Sequence, residues 1–423
     1  MAVIEQKKTG LNSSTIWNQL SETELRIDSQ DKEMALRVLN NTPMPTTRTE
    51  AWKYTRVSKL GKIEFSNQGA QVTSIDKYII DESATRLVFI NGHLSEEFSS
   101  EEFQDELNIT LLSQGEEVAP SILNLDDEIF HSLNTAFLTD GVQIEIADKA
   151  NVERTIQIIH ILKGESVISN FKTIIKAGKS SQANIIQGFF AEGEGKSNFC
   201  NSTSEIFVGE NAALTVDKVQ YENESTFHIS TEQVQQEKNS VFTINTSTLN
   251  GGLVRNNINI DVNGENCVSH MNGVYLLKNK QHVDNHTVMN HKVAHCDYHE
   301  LYKGVIDDKA TDVFNGKVYV RPDAQKINAF QSNGNVLLSD DASVYSKPEL
   351  EIYADDVKCS HGSTTGQLDE EAIFYLQARG LSKKSAHKLM VSAFIGEALD
   401  MTKNENARAF IDNLLLERFG WDF

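Results

Sequence analysis

From about Phe137 to Ala354 the chain runs strand after strand, and no part of this span shows a helical period. Segments such as Thr155 to Leu162, Ala183 to Phe190, Ala213 to Val219, Val241 to Leu249 and Val313 to Val320 are rich in Val, Ile, Thr and Phe. They alternate partly in polarity, the signature of half-buried strands. Turn residues separate them, and Gly164-Glu165-Ser166, Gly209-Glu210-Asn211 and Gly264-Glu265-Asn266 point to a repeated unit. Short strands at roughly even spacing fit a sandwich, a barrel or a β-solenoid, and periodicity alone does not choose among them. A sandwich of this length would usually split into domains. A solenoid extends simply by adding rungs, so the pattern leans to a solenoid.

The flanks read differently. Residues 1 to about 60 have helical texture: Ser29 is placed to cap a helix with Asp31 and Glu33 in its first turn, and Met34, Ala35, Val38 and Leu39 keep helical spacing. Pro43 and Pro45 end it. Between Ile63 and Asp126 the pattern is mixed, with a short strand at Leu87 to Ile90 and a turn at Asn91-Gly92. After Gly366 the chain turns helical again. Asp369 caps a helix that stops at Gly380, and Ser382 caps the next, on which Ala386, Leu389, Met390, Ala393, Phe394 and Glu397 form a stripe. Phe410, Ile411, Leu414 and Leu415 repeat the pattern on a last helix. The expected division is 1–130 mixed and partly helical, 131–355 solenoid, and 356–423 helical. A small helical cap cannot bury every apolar position, so some of its surface is a candidate docking face.

With 423 residues the chain can build a large core without disulfide or metal staples. Cys200, Cys267, Cys296 and Cys359 are widely separated. They offer no zinc ribbon and no Cys-x-x-Cys redox pair, and they suit a reducing cytosol. A net charge of −21, from 39 basic and 60 acidic residues, argues against a nucleic-acid partner. The first residues, MAVIEQKKTGLNSS, contain no apolar run, and nowhere is there an uninterrupted apolar stretch of the roughly eighteen residues that a membrane span needs. A soluble cytoplasmic protein is expected.

Two stretches imitate a phosphate-binding loop, Gly178-Lys179-Ser180 and Gly195-Lys196-Ser197, but Thr173 and Phe190 stand where the first glycine belongs. No ATP hydrolysis is expected of this chain. His282, His286, His291, His295 and His299, with Cys296, look like a metal site. In a strand, however, residues four apart lie about 13 Å from each other, so polar ladders are the better reading. Cys359 and His361 share one face of a strand because they are two apart. They make half of a soft-metal site, since four-coordinate Cys/His sites need more donors. A buried thiol beside a hydrogen-bonded imidazole fits the same residues.

The stretch YADDVKCSHGSTTGQLDEEAIFYLQARGL, from Tyr353 to Leu381, resembles the C-terminal signature of the SufB/SufD core family of iron–sulfur cluster assembly subunits. Tyr302 to Val320 and the box Arg48, Glu50, Trp52 and Tyr54 carry further likeness. Cys359-Ser360-His361-Gly362 resembles the SufD branch more than the SufB branch, which reads closer to His-Glu-Ala at His361-Gly362-Ser363. The resemblance implies a right-handed parallel β-helix and a non-catalytic scaffold that pairs with SufB through the solenoid end. It also implies docking of the ATPase SufC through the C-terminal helices, with Leu389, Met390, Phe394 and Leu414 as the contact residues. A transient iron–sulfur cluster would form at the interface with SufB, with His361 as a metal donor and Cys359 beside it, and the isolated chain would bind none. Alone, the chain would be free to pair with a second copy of itself. A SufB-type paralogue is the alternative. A β-helix carbohydrate-active enzyme is a weaker one, because carboxylates such as Asp307-Asp308 and Asp340-Asp341 are scattered. No flavin fingerprint is present.

Overall fold

The computed structural model describes residues 30–66, 68, 70–114, 121–123, 128–193 and 197–420. The expected Ser29 cap and the stretch 194–196 lie outside them. The described chain is mainly β, a parallel solenoid of about eight turns flanked by five helices. One sheet has ten strands, in spatial order Lys358–Gln367, Asn328–Leu337, Asp297–Ile306, Val268–Leu277, Val241–Asn250, Ala213–Tyr221, Gln182–Glu192, Ile156–Lys163, Thr85–Ile90 and His93–Leu94. The other has nine: Ser343–Ile352, Thr311–Val320, His282–His291, Leu253–Val262, Phe227–Gln236, Phe199–Val208, Ile168–Ala177, Asp140–Ile146 and Leu107–Leu111. Through the solenoid the chain alternates between sheets, so each strand pairs in parallel with the next but one. The first sheet takes Thr85–Ile90 from the mixed N-terminal region, and the last strand, Lys358–Gln367, which carries Cys359 and His361, extends the solenoid past the expected boundary at 355.

Register fixes which side chains face inward. Cys200, His228, Val254, Val283, Asp312 and Val344 form one column across six neighbouring strands. Because side chains alternate along a strand, every second residue joins the interior, where Phe171, Val216, Ile244, Val254, Met271 and Phe314 are buried together. The interior is not uniformly apolar. Lys218 Nζ donates to Glu232 Oε1 at 2.7 Å and to Asn256 Oδ1 at 3.1 Å, both within the solenoid. Buried charges are tolerated when paired in this way.

The corners explain how one rung is laid on another. Lys149, Ser180, Asn211, Asn239, Asn266, His295 and Lys326 all have positive φ and all occupy the same corner. This conformation turns the amide along the solenoid axis: Ser180 N–H donates to Glu210 O at 2.8 Å, Asn211 N–H to Lys238 O at 2.9 Å and Asn239 N–H to Glu265 O at 2.9 Å. Asparagine tolerates the left-handed region better than most residues. Its side chains also bond from rung to rung, Asn239 Nδ2 to Asn211 Oδ1 at 2.9 Å and Asn266 Nδ2 to Asn239 Oδ1 at 3.1 Å.

Both outer faces are covered in part. Helices Lys383–Leu399 and Glu405–Phe419, with residues 72–80, pack on the ten-stranded sheet through Val391, Ile395, Ile411 and Leu415 against Val219, Leu249, Val274 and Val305. Helices Gln30–Asn41 and Ile129–Ala136, with Trp52, cover Ile168, Phe199 and Ile229 of the other sheet. Helix Gln30–Asn41 stops just before Pro43, as the sequence predicts.

The corners yield a stability test. A Cβ on Gly264 would lie 2.0 Å from the backbone N of Lys238 in the rung below. Gly264→Ala must push two corners apart and is expected to cost about 1–3 kcal/mol. Asn266→Gly keeps the left-handed corner and loses only the exposed side-chain bond to Asn239, at about 0.5–1 kcal/mol, whereas Asn266→Val loses the same bond and adds about 1–2 kcal/mol of backbone strain. Urea unfolding of the three variants measures the order directly.

Candidate partner interface at the open end

The solenoid ends on Ser343–Ile352 and Lys358–Gln367, each a strand of 10 residues with a strand neighbour on one side only. Two backbone edges of roughly 33 Å each therefore face outward, carrying groups that seek another strand. The edge is guarded against indiscriminate pairing. Lys347, Glu349 and Glu351 place charge along one strand, and Pro348 sits on it where a missing N–H is tolerated.

The terminal rung has lost the cover that inward residues enjoy elsewhere. Cys359 stands opposite Ala329, half-buried against the interior, and burial pushes its thiol up. His361 stands opposite Gln331 and is exposed. Gln331 is buried and donates through Nε2 to Glu300 Oε2 at 2.5 Å, and Glu300 also accepts from Tyr298 Oη at 2.7 Å and Thr287 Oγ1 at 2.6 Å. Burial raises the Glu300 carboxyl. His361 is thus the outermost member of a column whose deeper members form a buried polar network. A second chain of bonds reaches the same opening: Ser363 Oγ donates to Ser346 Oγ at 2.7 Å, Ser346 Oγ to Asn333 Oδ1 at 2.9 Å and Asn333 Nδ2 to the Tyr275 hydroxyl at 3.0 Å.

An exposed imidazole and a half-buried thiol two residues apart supply two donors of the kind that zinc and iron accept. Among the described residues, no group of three or more His, Cys, Asp or Glu donors within 4.8 Å includes either residue. The histidine run does not converge. His282 meets Thr55 at 2.8 Å, His286 meets Asp284 at 2.9 Å, His291 is fully buried, His295 forms a corner, and His299 stacks between His270 and Phe330. Gly178-Lys179-Ser180 is likewise a corner between two strands.

The N-terminal box clamps this end. Tyr54 stacks on Tyr345 of the terminal strand at 4.1 Å, and Glu50 meets Lys347 at 3.3 Å. Behind them Trp52 lies 3.9 Å from the Arg255 guanidinium, which donates to Ala51 O at 2.7 Å and Asp284 Oδ2 at 2.6 Å. Asp284 also accepts from Thr55 at 2.5 Å. Burial alone would raise the Asp284 carboxyl, but Arg255 and His286 hold it well below the usual carboxylate range. The Arg48 backbone N–H donates to the Thr46 hydroxyl at 3.2 Å.

The C-terminal helices are capped where the sequence predicts, Asp369 accepting from Glu371 N–H at 2.9 Å and Ser382 from Ser385 N–H at 3.0 Å. Leu389 is 48% exposed and Met390 half-buried. Phe394 is half-buried, with the Lys303 ammonium 4.6 Å from its ring. Leu414 is 8% exposed and belongs to the core against the sheet, so it packs the helix down and offers no docking contact. The larger apolar exposure lies on residues the sequence reading passed over, Phe374 at 73% and Tyr375 at 57%. Their signal was available: Ile373 is the one buried residue of helix Glu370–Ala378, and at about 100° per residue its next two neighbours turn away from that face.

The sequence has relatives among known proteins. The family model described as the SUF system FeS cluster assembly, SufBD core domain, matches residues 160–394, and that for the SufBD protein N-terminal region matches residues 17–158. An iron–sulfur cluster assembly SufBD family protein of Synechocystis is 31% identical over 403 residues, covering 90% of this chain and 89% of that protein. Iron–sulfur cluster assembly protein SufD of Escherichia coli is 26% identical over 403 residues, covering 94% of each.

The clamp yields a prediction with a sign. Asp284 is a carboxyl with a depressed folded-state pKa, so its contribution is present above the ordinary carboxylate range and is lost as pH falls through that range and below it. Arg255→Met leaves the carboxylate buried without its main partner and is expected to cost about 3–5 kcal/mol at pH 7. Asp284→Asn in the same chain recovers part of that loss. A double-mutant cycle in urea reads the coupling, and the acid-side loss of stability shrinks in the single Arg255 variant.

Proposed function

The chain belongs to the SufBD family of iron–sulfur cluster assembly proteins, and from that premise we propose that it is a non-catalytic scaffold subunit of the SufD type. It pairs through the open end of its solenoid with SufB and docks the ATPase SufC on its C-terminal helices. The observation that carries this reading is the terminal rung, two polar strand edges beside the half-site Cys359 and His361. A partner solenoid presenting its own edge would satisfy the backbone by strand addition and would bring the donors that these two residues lack. The cluster held there is cargo of the assembly, built between subunits and passed on. His361, exposed and anchored by backbone pairing to Gln331, would supply one metal donor. Cys359, with a protonated and half-buried thiol, needs a nearby metal ion to ionise readily.

Docking of SufC is assigned to Leu389, Met390 and Phe394, joined by the more exposed Phe374 and Tyr375. Helices Glu370–Ala378 and Lys383–Leu399 pack together, so a partner seated across the pair would reach side chains from both. No helix among the described residues is long and apolar enough to cross a membrane. A cytoplasmic setting suits the four free cysteines. In isolation the same strand edges remain available to a second copy of the chain.

Two substitutions test the two contacts separately. His361→Ala removes an exposed side chain, so the melting temperature and SufB pairing should be unchanged while cluster formation in the reconstituted complex is lost. Cluster yield is read by visible absorption after supply of iron and sulfide, and wild-type yield would remove the ligand role. Leu389→Asp should weaken SufC binding at least tenfold with an unchanged thermal melt. Leu414→Asp should instead collapse the melt, at about 2–5 kcal/mol.

A further inference from the structure

We propose that Cys200, Glu222 and His228 form a resident site for one borderline-soft divalent metal ion, of the zinc or ferrous class, inside the solenoid. The proposal does not depend on the function assigned to the open end. Cys200 and His228 are direct neighbours in register on adjacent strands, and Glu222 lies in the turn that leads from Ala213–Tyr221 into Phe227–Gln236. One Sγ, one imidazole nitrogen and one carboxylate oxygen lie within 4.8 Å of one another, and this is the one such group of three among the described residues. The residues are 3%, 1% and 0% exposed for Cys200, Glu222 and His228. Tetrahedral zinc with ligand bonds of about 2.0–2.3 Å holds its donors roughly 3.3–3.8 Å apart, so small side-chain rotations close the set.

Three further features of the site favour an ion. The His228 ring has its outer interactions in place: Nε2 lies 3.2 Å from Ser202 Oγ, while Nδ1 lies 2.8 Å from Glu222 Oε2 and 3.2 Å from Gln220 Nε2. Without an ion, Nδ1–H donates to Glu222; an ion would take the place of that proton, and the ring would then carry its proton on Nε2 and donate it to Ser202, the arrangement that metal-bound histidines adopt. Gln220 Nε2 keeps an acceptor in Asn256 Oδ1 at 3.0 Å. Secondly, Cys200 Sγ makes no hydrogen bond among the described residues, so it is free to turn toward an ion. Thiolate, carboxylate and neutral imidazole together would match the charge of a divalent ion. Lys218 nearby does not spoil this, because it is paired with Glu232 at 2.7 Å. Thirdly, the wall on the Cys200 side is apolar. Leu162, Val167 and Phe189 cluster with Cys200, and Phe189 lies 4.7 Å from the His228 ring.

The site is four strand spacings from the terminal strand along the column from His228 to Val344, about 19 Å. The stretch from Cys200 to His228 makes one full turn and brings its two ends together on successive rungs, so the ion would be enclosed as the second rung is laid on the first and would exchange slowly. This makes it a structural ion, separate from any cluster handled at the open end.

The test uses the full chain produced in minimal medium with cobalt as the probe. The expected result is one cobalt per chain with tetrahedral visible bands and a thiolate-to-cobalt charge-transfer band. That band should vanish in Cys200→Ser and persist in Cys267→Ser and Cys359→Ser. Glu222→Gln, which preserves shape, should lower cobalt retention after chelator dialysis roughly tenfold or more, and this arm decides if Cys200→Ser does not fold. Folded wild-type chain without bound cobalt, a band that survives Cys200→Ser, or unchanged retention in Glu222→Gln would each overturn the proposal and leave the Glu222–His228 contact as a plain ion pair. Loss of the band in Cys359→Ser would move the metal to the open end and overturn it equally.

Discussion

Everything in this structure depends on backbone hydrogen bonds that run along the solenoid axis from rung to rung. Strand pairs supply them along the flat faces and left-handed residues supply them at the corners, as in Asn211 N–H to Lys238 O and Asn239 N–H to Glu265 O. In-register stacking turns each position into a column, and a column tolerates charge only when its neighbours pair with it. Lys218 with Glu232, and Gln331 with Glu300, are the result. The same stacking cannot terminate itself. A rung with no successor leaves backbone groups unpaired and inward residues uncovered, and this is where Cys359 and His361 lie.

The two ends of the chain serve that open rung in different ways. The N-terminal segment reaches back to it, with Tyr54 on Tyr345 and Glu50 beside Lys347, while Trp52 and Arg255 fasten the segment to the body. The C-terminal helices leave from it and fold back over the outer face of the ten-stranded sheet, where Val391, Ile395 and Leu415 replace solvent with apolar contact. Flanking elements thus hold the terminal strands without covering their free edges. Burial per rung is modest, so fastening of this kind matters more here than in a globular core of equal length.

Much of this was legible in the sequence. Strand texture without helical period left a sandwich, a barrel or a solenoid, length leaned to the solenoid, and the family resemblance implied the parallel β-helix; the caps at Asp369 and Ser382 followed from residue type and position. The repeat length was not legible. The triplets ending at Asn211 and Asn266 mark one corner two rungs apart, the corner between them reads Glu237-Lys238-Asn239, and the triplet ending at Ser166 belongs to the opposite corner. A corner demands a conformation, and Asn, Ser, His and Lys all supply it, so no residue repeat betrays the turn. The Cys359 and His361 pairing on one strand was readable from spacing alone. The buried group of Cys200, Glu222 and His228 was not, because its members meet only once the chain has completed a full turn. Leu414 misled because amphipathic spacing shows that a residue belongs to a stripe but not whether that stripe meets a sheet or a partner.

The alternation between sheets also sets an order in time. Each rung closes a loop of about the same length onto the rung before it, so the entropic cost of adding one does not grow with chain length. Such a chain nucleates and then propagates by accretion, and the N-terminal rungs are complete while later ones are still being synthesised. Lys358–Gln367 is the last strand to be laid, and it has a template only after Asn328–Leu337 is in place. Every unfinished solenoid presents some earlier, more apolar strand pair as its growing edge. The polar, charge-guarded edge belongs to the finished molecule alone, so the composition of the last rung distinguishes a mature subunit from a nascent one.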